Sequence, residues 1–212
     1  MPQADNSLPP LREYDFPDTP LLTPDGSRGR MLVWQPPATV VVIGKGSKLD
    51  EEVNAEHCAR DNVAVVRRGT GGCAVVISPA MLVVTFAVYT DQQQQSKEYF
   101  RRFNHLIISA LDQQGIAALS HQGISDITLS DKKIAGTALY RKRDLVFYHA
   151  ILNLSGTTEA MEKYLKHPPR TPDYRRNRSH SEFVTSLAEQ GYTLDRAAFK
   201  QTLAAEFHLL LG

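Results

Sequence analysis

The stretch LVFYHAILNL, residues 145–154, is the clearest candidate for a long buried strand in this chain. It is rich in β-branched and aromatic residues, which fit the pleated, half-buried surface of a sheet. Shorter apolar runs on its N-terminal side carry the same signal. Further strands are therefore predicted at residues 40–43, 63–66, 74–77, 82–89, 117–120, 127–129 and 133–140.

Helices are predicted between and after these strands. In residues 96–114, apolar side chains recur at the spacing of one helix face, and Gly115 ends the run. The other predicted helices cover residues 50–60 (with Asp50 as N-cap), 158–165, 182–190 and 195–211. Many strands followed by helices indicate an α+β fold, with a mixed, largely antiparallel sheet flanked by helices.

Length and composition bound the class of protein. The 212 residues suit one domain, which we place at residues 31–212, after an irregular N-terminal arm at residues 1–30. A net charge of +1 argues against a protein built to bind the phosphate backbone of nucleic acids. Two cysteines indicate neither a disulfide framework nor a zinc site. We find no signal peptide and no membrane-length apolar run, so a cytoplasmic location is expected.

A glycine-rich loop, RRGTGGCAV at residues 67–75, lies between two predicted strands. Glycines let the backbone approach a ligand closely, and successive exposed N–H groups can hold a phosphate or carboxylate. The two arginines add positive charge that suits the same anions. The alternative is a turn whose glycines serve sterics alone. The loop is not a P-loop, because the Gly-Lys-Ser/Thr ending is missing.

The segment DKKIAGTA, residues 131–138, combines a charged turn with a strand of small residues. The plain interpretation is a hairpin with both lysines in solvent. Glycine inside a strand is unfavourable unless something packs closely against it. A flat ligand lying on this strand explains the pattern.

These motifs, with Ser125-Asp126-Ile127 and FYHAIL at residues 147–152, resemble in order and spacing the catalytic domain of the lipoate–protein ligase A family. The resemblance runs from about Leu32 to about Leu187. It implies the biotin/lipoate protein ligase fold. Residues 167–187 are similar to the family's loop-to-helix segment that closes over the adenylate.

The resemblance implies a two-step reaction in which lipoate or octanoate is coupled to ATP, with Mg²⁺, to give an acyl-AMP. A lysine of a carrier protein then attacks the acyl carbon. Lys133 matches the catalytic lysine, and Lys132 is expected to be dispensable. By the same matching, ATP and the adenylate contact Arg68, Gly71, Gly72, Cys73, Ala74, Val75, Val76, Asp126 and Lys133. The lipoyl group contacts Trp34, Arg68, Thr70, Gly71, Gly72, Ser125, Lys133, Gly136, Thr137, Ala138 and His149.

The resemblance also implies partners. The carrier is a lipoyl domain, a glycine-cleavage H protein or a lipoate-binding relative. Asp126 is a candidate Mg²⁺ ligand, and no tightly bound metal, nucleic acid or membrane is expected. The larger ligases carry a further C-terminal domain, so a separate small accessory subunit is a possible partner. A monomer is the expected oligomeric state.

Some positions depart from the family pattern. Cys73 replaces the third glycine of the loop, and Ser125 replaces an asparagine. ISPAM at residues 77–81 replaces a His-Asp-x-Gly-Asn segment, and the N-terminal helix is shortened or rebuilt. These departures leave the acyl substrate open.

Two rival functions stay open. One is an ATP-independent octanoyl or lipoyl transferase, which would carry the acyl group on a cysteine. Cys58 lies in a predicted helix and Cys73 in the glycine loop, away from the transferase position, and the alternative for both is a small buried side chain. The other is a non-catalytic module that binds lipoate or a lipoylated carrier. For Trp34 and His149 the alternatives are plain core packing and a hydrogen-bonded core histidine. Nucleic-acid binding through residues 170–178 is disfavoured.

Overall fold

The computed structural model describes residues 10–91, 94–168 and 171–212. The strands are β1 (Leu11–Glu13), β2 (Gly29–Trp34), β3 (Val40–Ile43), β4 (Ala64–Arg67), β5 (Val75–Ile77), β6 (Met81–Tyr89), β7 (Leu119–Gln122), β8 (Asp126–Leu129), β9 (Lys132–Lys142) and β10 (Leu145–Asn153). The helices are α1 (Leu49–Glu52), α2 (Ala55–Arg60), α3 (Ser96–Asp112), α4 (Glu159–Tyr164), α5 (His180–Phe183) and α6 (Arg196–Leu211). Two short 3₁₀ helices cover Thr19–Leu22 and Asp173–Arg175.

The strands form two sheets. The larger has six strands in the order β2-β6-β10-β9-β8-β7, and all its pairs are antiparallel. The smaller has the order β1-β4-β3-β5, in which β4 runs parallel to both of its neighbours. Together with the flanking helices, this confirms the predicted α+β class. The predicted strand at 145–154 is β10, which lies inside the larger sheet.

The larger sheet has two different faces because side chains alternate along each strand. On the outer face, Phe86 of β6 stacks on Phe103 of α3 and on Phe207 of α6, with ring centroids 5.3 and 4.8 Å away. Each such buried side chain contributes about 1.5–3 kcal/mol. On the inner face, Val83 packs with Val42 of the smaller sheet. The candidate site residues lie on this inner face.

Two predicted helices are wrong in extent. Residues 50–60 form two short helices, because Val53 is extended and bridges to Leu165. The cap of α1 is Lys48, not Asp50. Residues 182–190 are helical only up to Phe183, since Val184 is extended and forms a parallel bridge to Lys133. In both places a pairing with a distant segment replaces the local helical preference.

The N-terminal arm is more ordered than the sequence indicates. β1 pairs with β4, and β2 already begins at Gly29, inside the expected arm. Asp18 is completely buried, and it accepts hydrogen bonds from Tyr14 at 2.9 Å and from Thr85 of β6 at 2.7 Å. Residues 10–30 therefore cover part of the inner face of the larger sheet.

Three short stretches lie outside the described residues. They are residues 1–9 of the N-terminal arm, residues 92–93 just before α3, and residues 169–170. The last two fall in the arginine-rich segment 166–179, which the sequence predicts as a loop and which is called the basic loop below. Among the helices that the structure does describe, none has the length and apolar character needed to cross a membrane.

Candidate active site

Lys133 and Asp126 form an ion pair on the inner face of the larger sheet. The Lys133 Nζ lies 2.7 Å from Oδ1 of Asp126, and only 27% of the lysine side chain is exposed. The register between β8 and β9 brings the two side chains together, because Asp126 pairs directly with Gly136. A Cβ atom at position 136 would lie 3.0 Å from both Cε and Nζ of Lys133. The glycine therefore makes room for the lysine of its own strand, which the sequence did not indicate.

Tyr174 completes this cluster from the basic loop. Its hydroxyl donates a hydrogen bond to the second carboxylate oxygen of Asp126, at 2.7 Å. Burial and the negative charge of Asp126 raise the pKa of Tyr174, so the hydroxyl remains a donor. Tyr174 was missed by the sequence analysis, since its loop has no periodicity and lies far from Asp126 in the chain. The three residues connect β8, β9 and the basic loop.

The two arginines of the glycine loop hold the backbone in place. Arg68 is buried and donates to the carbonyl oxygens of Val42, Gly71 and Cys73, at 3.1, 2.8 and 2.9 Å. Burial lowers its pKa to about 10, so it stays cationic at neutral pH. Arg67 donates to carbonyl oxygens in residues 44–47. Arg68 thus ties the glycine loop to β3, and Arg67 holds the turn after β3. An anion contact of Arg68 stays a prediction.

The loop packs tightly against the turn after β3. A Cβ atom at Gly44 would meet the carbonyl oxygen of Gly72 at 2.0 Å, and Gly72 itself has a φ of +95°. The amide of Ala74, expected to face the adenylate, donates to the buried carboxylate of Glu52 at 2.5 Å. Glu52 lies in an acidic run that reads as solvent-exposed, so no sequence signal identified it.

His149 joins the loop to the larger sheet. Its Nε2 lies 3.2 Å from Oγ1 of Thr70, and β10 places it directly opposite Ala138 of β9. Burial, followed by the charge of Arg68, lowers the pKa of His149 to about 3, so the imidazole is neutral. His149 is a hydrogen-bonded, buried histidine, and it also lies beside the strand that carries Lys133. The structure therefore brings Thr70, Ala138 and His149 together.

Trp34 and Thr137, which were also expected to contact the lipoyl group, lie in other positions. Trp34 is buried and stacks on Phe16, with centroids 5.2 Å apart, and two strands separate it from β9. The Thr137 hydroxyl donates to the carbonyl oxygen of Ser125 at 2.6 Å. Because side chains alternate along a strand, Thr137 faces away from Gly136 and Ala138. An acyl contact through the Thr137 side chain does not fit this geometry.

Val75 and Val76, at the end of the glycine loop, pack in different hydrophobic clusters. Val75 packs between the two sheets, whereas Val76 packs in the cluster around α2 and α4. Within the described ranges there is no group of three or more His, Cys, Asp or Glu side chains arranged to hold a metal. Both carboxylate oxygens of Asp126 are engaged by Lys133 and Tyr174. A Mg²⁺ contact through Asp126 would replace one of these bonds.

Several curated proteins resemble this chain in sequence. Lipoate–protein ligase 1 of Staphylococcus aureus is 32% identical over 129 residues, which are 61% of this chain and 38% of that protein. Lipoate-protein ligase LplJ of Bacillus subtilis is 30% identical over 126 residues, 59% of this chain and 37% of that protein. The matched part is thus under two fifths of each relative.

Solved structures share the fold. A bi-partite lipoate protein ligase from Thermoplasma acidophilum, studied with its E2 lipoyl domain, superposes with a TM-score of 0.75 at 19% identity, covering 94% of this chain and 82% of that one. A lipoate-protein ligase A bound with ATP gives 0.73 at 18% identity, covering 95% and 84%. A sequence model of the lipoyl protein ligase A/B catalytic domain matches residues 21–208. This chain therefore belongs to the lipoyl protein ligase A/B catalytic domain family.

Proposed function

We propose that this chain catalyses the ATP-dependent attachment of lipoate or octanoate to a lysine of a carrier protein, through an acyl-AMP intermediate. The observation that carries the proposal is the ammonium of Lys133, a side chain that is partly buried and 27% exposed. It lies over Gly136 beside Asp126, on the sheet face that His149 and Thr70 join to the glycine loop. Family membership and the names of the relatives support the same activity.

In the first step the acyl carboxylate attacks the α-phosphorus of ATP, and pyrophosphate leaves. Negative charge accumulates where the two anions meet, so a preorganised cation accelerates the step. Loss of one such group typically costs about 10²–10³ in rate. Lys133 supplies this cation, and Asp126 with Tyr174 holds its ammonium in place. If Mg²⁺ accompanied ATP, it would offset phosphate charge, and Asp126 would be the candidate residue to hold it, in place of one of its bonds to Lys133 or Tyr174.

The acyl chain lies on the inner face next to Gly136, Ala138 and His149. Burial of each methylene contributes about 0.8 kcal/mol, so a medium-length chain is held mainly by the hydrophobic effect. A neutral imidazole at His149 suits this role, because a charged one would have to be desolvated. In the second step the carrier lysine attacks the acyl carbon, and AMP leaves.

The carrier is a lipoyl domain or a related protein, by analogy with the Thermoplasma ligase and its E2 lipoyl domain. A separate accessory subunit is part of the proposal by the same analogy, since that ligase is bi-partite. We further propose a monomeric catalytic chain that acts in the cytoplasm.

The assay combines the protein with an apo lipoyl domain and lipoate, with and without MgATP, and weighs the carrier by mass spectrometry. We expect a lipoyl mass increase that requires ATP. Addition without ATP would contradict the ligase and favour a transferase, and no addition, even with an accessory subunit present, would favour the binding module.

Cys58 gives the transferase little support. Cys58 is completely buried, and burial raises the pKa of its thiol to about 11. A thiol in that environment is a poor nucleophile at neutral pH. A Cys58→Ser or Cys73→Ser variant should keep ATP-dependent ligation in the same assay.

A further inference from the structure

Glu52 is a buried carboxylate with no part in the proposed reaction so far. It is the last residue of α1 and is 6% exposed, whereas its neighbour Glu51 lies in solvent. One of its carboxylate oxygens accepts a hydrogen bond from the amide of Ala74 at 2.5 Å. The ion pairs found within the described ranges do not include Glu52. A carboxylate removed from water in this way depends on its hydrogen bonds for stabilisation.

The peptide group that joins Cys73 to Ala74 is held from both sides. Its N–H donates to Glu52, and its carbonyl oxygen, which belongs to Cys73, accepts from Nη2 of Arg68 at 2.9 Å. Arg68 is only 5% exposed, so the charges on both sides are buried. Burial lowers the pKa of Arg68, and the negative charge of Glu52 is among the charges that oppose this effect. One peptide dipole therefore lies between a buried cation and a buried anion.

This arrangement allows a single orientation of the Cys73–Ala74 peptide. If the peptide flipped, its carbonyl oxygen would face the carboxylate of Glu52 and its N–H would face the guanidinium of Arg68, and both contacts would be repulsive. Such contacts are stronger in a buried site, where the local dielectric is low. Hydrogen bonds to charged groups are also about twice as strong as neutral ones. The end of the glycine loop is thus fixed before any ligand binds.

Glu52 is itself held by a segment that is distant in the chain. Its carbonyl oxygen accepts a hydrogen bond from the amide of Lys166 at 3.0 Å. The next residue, Val53, forms a bridge to Leu165. The backbone at the end of α1 is therefore anchored on one side, and its carboxylate is offered to the glycine loop on the other.

The glycines of the loop leave space on its exposed side. A Cβ atom added at Gly69 or Gly71 would meet no atom of the described residues within 4 Å, and both glycines are exposed. Backbone N–H groups in such a loop can hold an anion. Donors of this kind are most effective when they are held in place before the reaction, because they then need no reorganisation.

We propose that Glu52 is a positioning residue of the glycine loop, which fixes the loop for its ligand by holding the Cys73–Ala74 peptide against Arg68. The inference rests on the proposed ligase function and deepens it. Glu52 acts through the peptide and not through a substrate. Because the peptide is fixed at the end of the loop, the exposed amides before it keep one direction towards the reacting anions.

The test compares Glu52→Gln with Glu51→Gln, which removes an exposed carboxylate from the same helix. Glutamine keeps the size and an acceptor oxygen but removes the negative charge. Acyl-AMP formation is followed by ATP–pyrophosphate exchange with lipoate, at a temperature where each variant is fully folded. The kcat of Glu52→Gln should fall about ten- to a hundredfold, with the KM for lipoate unchanged, since the acyl chain is held by burial on the larger sheet. Glu51→Gln should behave like the original protein.

The amide proton of Ala74 reports on the contact itself by NMR, without any variant or substrate. A short hydrogen bond to a buried carboxylate should move its resonance downfield and slow its exchange with solvent. In Glu52→Gln the resonance should move upfield. An ordinary, rapidly exchanging Ala74 amide in the original protein would overturn the inference, even if Glu52→Gln fails to fold.

The kinetic outcomes separate this inference from the ligase. If Glu52→Gln has a lower melting temperature but the folded variant keeps the original kcat, Glu52 is a structural residue and the ligase stands. If the original protein shows no exchange, the ligase is wrong, and calorimetric titration with ATP decides about Glu52. Weaker ATP binding in Glu52→Gln than in Glu51→Gln would support the positioning role, and equal or absent binding in both would overturn it.

Discussion

Lys132 and Lys133 are adjacent in the chain but have different partners. Lys133 lies over Gly136 and pairs with Asp126, whereas Lys132 forms no ion pair with a residue that the structure describes. The difference follows from strand geometry, since neighbouring side chains point to opposite faces. Lys133, at the start of its strand, is therefore partly buried beside Asp126, because a glycine three residues later leaves room for its side chain.

At the scale of single residues, we predict that Lys133→Ala lowers the rate of acyl-AMP formation by a factor of about 10²–10³. The reason is the loss of the cation next to the reacting carboxylate and phosphate. Lys132→Ala should change the rate by no more than a few-fold. Acyl-AMP formation is measured by ATP–pyrophosphate exchange in the presence of lipoate. A severe defect in Lys132→Ala with a normal Lys133→Ala would show that the wrong lysine has been chosen.

The sequence identified some site residues and missed others for physical reasons. Lys133 and His149 were proposed because the motifs around them resemble those of the family, and Gly136 also stood out as a glycine inside a strand of small residues. Tyr174 and Glu52 act through contacts with segments that are distant in the chain. Their neighbourhoods are aperiodic or simply charged, so a single sequence contains no signal that separates them from surface residues.

At the scale of elements, the glycine loop and the turn after β3 fit together through Gly44. Gly44→Ala would place a Cβ atom 2.0 Å from the Gly72 carbonyl oxygen, and this atom belongs to the backbone. We expect a loss of about 1–3 kcal/mol in the free energy of unfolding, as for other overpacked sites. ATP affinity should fall as well, because the loop must shift.

Gly46 provides the matched control in the same turn. A Cβ atom there meets nothing within 4 Å, and its φ is not positive. Gly46→Ala should be neutral or stabilise the protein by about 0.4–1 kcal/mol. Urea unfolding of both variants measures the difference. Equal stability of the two variants would contradict the close approach at Gly44.

The bounds of the strands and helices show where a sequence pattern is enough to predict an element. The strands at 40–43 and 145–154 were predicted closely, because their apolar runs are buried on both sides. The helices at 50–60 and 182–190 were overextended, because Val53 and Val184 pair with segments far away in the chain. The order of the strands within the sheets could not be predicted either. The parallel pairing of β1 with β4, for example, joins residues more than fifty positions apart.

At the scale of the whole molecule, the buried neutral His149 makes stability depend on pH. Its pKa is about 3 in the folded protein and about 6.5 when unfolded, so the unfolded chain binds an extra proton between these values. Stability is therefore complete above pH 6.5 and falls as the pH is lowered towards 3. Between pH 7 and pH 5 this group alone should cost about 2 kcal/mol.

The measurement is the free energy of unfolding at pH 7 and pH 5 for the original protein and for His149→Gln. Glutamine has no proton to gain, so the variant should lose about 2 kcal/mol less over this range. The comparison removes the contributions of other titrating groups that both proteins share. An identical pH dependence in the two proteins would mean that His149 is protonated in the folded state.

The hydrogen bond between Thr70 and His149 has a consequence for spectroscopy. Since the imidazole stays neutral across the physiological range, its ring ¹⁵N resonances respond to the tautomer and to the hydrogen bond, not to titration. The molecule thus carries its own NMR reporter of the distance between loop and sheet. Following that signal as nucleotide and acyl substrate are added shows whether either one changes the Thr70–His149 contact, without any attached label.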